Sequence, residues 1–121
     1  MADQREPVED FVKRFAEEHR HDPLGDVANS FHFENEHVRV WEMDLAPGEA
    51  SDLHRHDCDY LVILLEGDRV AGVPPVDTGV ACQIADVERG KIAFVPKGGT
   101  EWAVNIGKRP YREILIELKE Q

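Results

Sequence analysis

Between residues 31 and 118 the chain is cut at near-regular intervals by Gly and Pro, and the runs between the cuts are short and rich in Val, Ile, Leu and aromatic residues. Such runs, bounded by turn chemistry, read as strands rather than as helices. The pattern predicts strands over 31–34, 37–45, 53–56 with 60–65, 69–73, 80–87, 91–95, 100–105 and 111–118. Turns fall at 46–49, 66–68 and 106–110, and Pro74-Pro75 interrupts the chain between strands. About eight short strands joined in this way fold as an all-β sandwich or closed barrel. In the last strand Ile114, Ile116 and Leu118 share one face, with Glu113 and Glu117 on the other. In 37–45 both parities are apolar, Val38 and Val40 against Trp41, Met43 and Leu45. One face there fills an interior and the other meets a second surface.

The N-terminal segment has a different period. Val8, Phe11, Val12 and Phe15 fall at i, i+3, i+4 and i+7, which predicts an amphipathic helix over 7–20 with Pro7 at its first position. That stripe needs cover, from the barrel or from a partner subunit. At 121 residues the chain is expected to be one unit, divided as helix and linker 1–30 and barrel 31–121.

The net charge of −11 argues against a nucleic-acid partner and against anionic membrane surfaces. No run of apolar residues is long enough to span a bilayer. Residues 1–6 lack a basic n-region and an apolar h-region, so no secretory signal is expected. The two cysteines, Cys58 and Cys82, are then expected to stay reduced in the cytoplasm.

Two spacings bear on chemistry. The first is Gly48, five residues, His54-Arg55-His56, three residues, Tyr60, six residues, Gly67. The second is Gly90, five residues, Pro96-Lys97-Gly98, two residues, Glu101, three residues, Asn105. His54 and His56, one residue apart on a strand, point the same way. A carboxylate arriving from a second strand would complete a set of two imidazoles and one acid, which suits a divalent transition ion.

These spacings resemble the paired motifs of the cupin superfamily, which read G-x5-H-x-H-x3-4-E-x6-G and G-x5-P-x-G-x2-H-x3-N. The resemblance covers Gly48 to Asn105, about half the chain, and implies a jelly-roll β-barrel with a metal site inside it. The sequence departs from it twice: Tyr60 stands at the Glu of the first motif, and Glu101 at the His of the second. The ligand set is therefore expected to be His54, His56 and Glu101. Iron leads among the metals, with manganese, zinc, nickel or copper as alternatives. Tyr60 is the candidate proton handler. The resemblance implies a metal-dependent enzyme acting on a small organic molecule: dioxygenase-like first, or a decarboxylase, isomerase or lyase. Beside it stand a non-enzymatic small-ligand module and a metal-free barrel in which Glu101 and Tyr60 hydrogen-bond the histidines. Metal-free chemistry by a His–Asp pair, using Asp57 or Asp59, ranks last because parity sets those residues on opposite faces. Trp41 and Trp102 read as packing residues, Asn105 as a turn former, and Cys58 as a loop thiol. His32 and His37 are weak candidates for a pocket mouth. A homodimer is expected, because the two-faced strand 37–45 and the amphipathic helix ask for more cover than one small barrel gives.

Overall fold

The computed structural model describes residues 6–120. The segment read for a signal lies, apart from Glu6, outside them. One helix, α1 (Val8–Glu18), precedes nine strands. These are β1 (Ser30–Glu34), β2 (Val38–Leu45), β3 (His54–Arg55), β4 (Asp59–Glu66), β5 (Arg69–Val73), β6 (Gln83–Asp86), β7 (Ile92–Val95), β8 (Thr100–Asn105) and β9 (Tyr111–Leu118). They form a five-stranded sheet ordered β1-β2-β9-β4-β7 and a four-stranded sheet ordered β3-β8-β5-β6. Every named strand pairing is antiparallel. The all-β jelly-roll with a short N-terminal helix is thus the fold.

Two apolar cores follow from the alternation of side chains. The first fills the space between the sheets: Met43, Leu45, Tyr60, Leu64, Ala103, Tyr111 and Leu115 are buried together. The second lies on the outer face of the four-stranded sheet, where Val12, Phe15 and Ala16 of α1 meet Leu53, Ala71, Val73, Trp102 and Val104. The helix therefore covers its own barrel. Its ends differ from the sequence reading. Pro7 is the residue before the first turn, its carbonyl accepting from Asp10 and Phe11 at 3.1 and 3.0 Å, and His19 ends the helix. The expected strand over 80–87 shortens to four residues, the part with a partner in β5.

The burial pattern of β9 alternates cleanly, with Tyr111, Glu113, Leu115 and Glu117 buried. The face that looks polar in sequence is therefore the interior one. Ile114, Ile116 and Leu118 point out of the barrel.

Candidate metal and ligand site in the barrel

His54 is set by its loop. Ser51 is tied to β8 in both directions: its N–H donates to the Ala103 carbonyl at 2.8 Å, and its Oγ accepts from the Ala103 N–H at 2.9 Å. The Asp52 carbonyl then accepts from Nδ1 of His54 at 2.9 Å. A carbonyl only accepts, so Nδ1 carries the proton and the lone pair of the ring sits on Nε2.

His56 is held by its backbone. Its N–H donates to the Gly99 carbonyl at 3.0 Å and its carbonyl accepts from the Gly98 N–H at 2.8 Å. Gly98 sits at φ +109°, a conformation side chains resist. The ring stacks on Tyr60 at 3.9 Å and 16°, and meets the His54 ring edge-on at 4.8 Å. Nδ1 of His56 is buried with no hydrogen-bond partner, the one such side-chain atom among the described residues.

Both rings are buried. Burial pushes the His54 pKa down, and burial with His54 alongside pushes that of His56 to about 3. Both imidazoles are therefore neutral near pH 7, the form that ligates metals.

Glu101 lies directly opposite His54 in the β3–β8 register, so the two side chains share a face. Gly72 on β5 makes room for it: a Cβ there would sit 3.1 Å from one Glu101 carboxylate oxygen and 3.2 Å from the other. The carboxylate has no ion pair or hydrogen bond among the described residues, and burial alone raises its pKa. Tyr60 is raised well above the usual phenol range, by burial first and then by Glu101 and Glu113.

The structure thus brings His54, His56, Tyr60 and Glu101 into one interior. It does not draw three or more acidic, thiol or imidazole groups into a closed metal-binding cluster among the described residues. Neither Tyr60 nor Glu101 hydrogen-bonds an imidazole, contrary to what the metal-free barrel expects. The other candidates lie elsewhere. His32 pairs with Glu42 and His37 with Glu36, both exposed. Asp57 faces Arg55, and Asp59 accepts from the Lys97 N–H at 2.9 Å. Trp102 packs under α1, while the Trp41 Nε1–H donates to Glu117 at 2.7 Å. The turn former Asn105 is fully buried, its amide donating to the carbonyls of Leu45 and Arg109.

Sequence reasoning missed Glu113. Its carboxylate is wholly buried, accepts from the Tyr111 hydroxyl at 2.7 Å, and has its pKa pushed to about 7, by burial first and by Glu101 in addition. The signal available was the parity of β9, but two Glu among Ile and Leu look like an outer face. Two clefts, of about 710 and 510 Å³, lie elsewhere, along the flanks of α1.

No family model matches the chain, and no curated protein is similar to it. Solved structures are similar. A cupin domain from Bordetella pertussis Tohama I is 23% identical with a TM-score of 0.66, over 79% of this chain and 100% of that one. A Cupin 2 conserved barrel domain protein from Salinispora arenicola is 15% identical with a TM-score of 0.58, over 98% of this chain and 91% of that one. The polyketide cyclase RemF from Streptomyces resistomycificus is 21% identical with a TM-score of 0.54, over 71% of this chain and 57% of that one.

Proposed function

For a chain with this cupin-type barrel fold, we propose that the interior holds one divalent metal ion on His54, His56 and Glu101 and acts there on a small organic molecule. The observation that carries the reading is the unpartnered, buried Nδ1 of His56. A buried polar atom without a partner costs roughly 1–3 kcal/mol, and such an atom beside a second neutral imidazole marks a place for a missing electrophile. Charge points the same way. Glu113 is buried and Glu101 half-buried, and no basic side chain lowers the pKa of either. A cation would supply the compensation that the chain does not.

Two imidazoles and a carboxylate suit ferrous iron, and also accept manganese, zinc, nickel or copper. When bound, the ion would supply Lewis acidity and open coordination positions. The chain's own residues do the rest. The Asp52 carbonyl fixes the His54 tautomer with Nε2 free. Gly72 leaves the Glu101 carboxylate its space. Tyr60 keeps its proton across the physiological range and offers a hydroxyl as donor. A dioxygenase-like reaction leads, with decarboxylase, isomerase or lyase chemistry as alternatives. The compartment we propose is the cytoplasm, supported by two free thiols.

A second reading is a non-enzymatic small-ligand module, favoured by the absence of a closed three-ligand cluster among the described residues. Elemental analysis separates the two. Purified or reconstituted protein is expected to carry near-stoichiometric metal, with His54→Ala and His56→Ala losing it. Protein that takes up none of the five metals ends the metal reading. Thermal stabilisation by small sugars or carboxylates without turnover then supports the module.

A further inference from the structure

One charged group on the interior side of the five-stranded sheet has no part in the site so far. Among the described residues, Arg39 is the one Lys or Arg of the nine strands whose position faces inward, on the parity of Met43 and Leu45. Arg55 alternates with His54, Arg69 shares the parity of Ala71 and Val73 under α1, and Arg112 lies on the exposed side of β9. Those three face outward. The register sets Arg39 in a row. It stands opposite Glu117, Glu117 stands opposite Tyr60, and the Tyr60 ring stacks on His56. From β2 to β4 the row spans about 10 Å at the usual strand spacing. Its members differ in access: the Arg39 side chain is 33% exposed and that of Glu117 only 3%. Arg39 thus stands where solvent meets the interior.

Glu117 orients the guanidinium. Its Oε1 accepts from the Trp41 Nε1–H at 2.7 Å and from Nη1 of Arg39 at 3.4 Å. On the rim, Nη2 of Arg39 donates to Glu34 at 3.3 Å, and Lys119 pairs with Glu34 in turn. Both contacts of Arg39 are long beside the roughly 2.7–2.9 Å of a strong charge-assisted bond. A guanidinium has five N–H donors, so three are left without a protein partner among the described residues. A planar fork steadied by a buried acid and still short of acceptors is suited to a carboxylate.

We infer that the molecule handled in the barrel is a small organic acid, its carboxylate docked on Arg39 while an oxygen-bearing end reaches the His54, His56 and Glu101 set. The inference rests on the metal reading above and names its substrate class. Local charge supports it. Arg39 and Lys119 balance Glu117 and Glu34. A divalent ion on Glu101 would leave one positive charge over while Glu113 holds its proton, and an acid answers that charge where a neutral molecule does not. The overall −11 does not oppose this, because exposed charges are screened beyond about 10 Å in ordinary salt. Side chains reach inward from both ends of the row, so a chain of about four to six carbons bridges the rest.

Calorimetric titration of zinc-loaded protein, just below the Glu113 pKa of about 7, reads the outcome. The probes are malate, 2-hydroxyglutarate and 2-hydroxyadipate, each beside the amide of its distal carboxylate, which keeps the hydroxy-acid end and loses only the far charge. At least one acid is expected to bind about tenfold or more tightly than its amide. Arg39→Gln is expected to bring that pair within about threefold, with near-stoichiometric zinc retained and the far-UV circular dichroism unchanged. Arg39→Lys falls between, because a point charge lacks the fork. Arg112→Gln, on the outer side of β9, keeps the preference. If Arg39→Gln unfolds by leaving Glu117 without its counter-charge, the double variant Arg39→Gln with Glu117→Gln takes its place. Zinc-loaded protein that binds none of the acids, or binds acid and amide alike, overturns the inference and leaves the metal reading standing. So does a preference that survives loss of the Arg39 charge. Protein that takes up no metal overturns both.

Discussion

At the scale of the residue, the interior is organised by what its polar atoms lack. His56 has a buried nitrogen without a partner, and Glu101 has a half-buried carboxylate without a counter-charge. Gly72 is the hydrogen-sized gap that lets that carboxylate stand where it does. Gly72→Ala is expected to displace it by a few tenths of an ångström and to weaken metal affinity about tenfold, read by titration calorimetry. Glu113 carries the clearest pH signature. Its folded pKa of about 7 lies above the unfolded value near 4.3, so the native state keeps a proton that the unfolded state has released. Stability is therefore full below about pH 4.3 for this group and falls as pH rises through 7, by on the order of 3–4 kcal/mol. Glu113→Gln keeps an acceptor for Tyr111 and cannot ionise. Urea melts of metal-free protein between about pH 4.5 and 8 are expected to lose that falling limb in the variant. An unchanged limb would assign it to other groups.

At the scale of the element, the strands were legible because Gly and Pro mark their ends and apolar runs fill them. Most strand positions follow directly from that pattern. What the pattern left open was which face of β9 turns inward. Parity is visible in sequence, but its sign is set by register against β2 and β4, a long-range pairing. The same limit hid Glu113 while leaving His54, His56 and Tyr60 readable, since those three stand at motif spacings. The helix was legible as amphipathic, but its partner was not, because the stripe on α1 does not say which surface it meets. Asn105 shows how far a turn residue can reach. Its amide donates to the carbonyl of Leu45 at 3.0 Å and of Arg109 at 2.8 Å, and its Oδ1 accepts from the Gly107 N–H at 2.9 Å. It joins the end of β2 to the turn between β8 and β9. Asn105→Ala leaves buried carbonyls unpaired and is expected to cost about 3 kcal/mol in a urea melt. Phe15→Ala should cost a similar ~3 kcal/mol by opening the core under α1, and speed hydrogen exchange in the helix first.

At the scale of the molecule, two sheets enclose an apolar core with the polar site set beside it. The helix covers the outer face of the four-stranded sheet. No helix among the described residues is long and apolar enough to cross a membrane. The likeness to solved cupin structures fixes the fold, while the chemistry rests on the interior residues. Its central claim is that His54, His56 and Glu101 converge on a cation, and anomalous scattering tests it most directly. Crystals soaked in turn with iron, manganese, zinc, nickel and copper should give, for at least one of them, a single strong anomalous peak within coordination distance of both imidazoles and the Glu101 carboxylate. Data at all five edges with no peak there, or a peak held by exposed residues alone, would contradict the account.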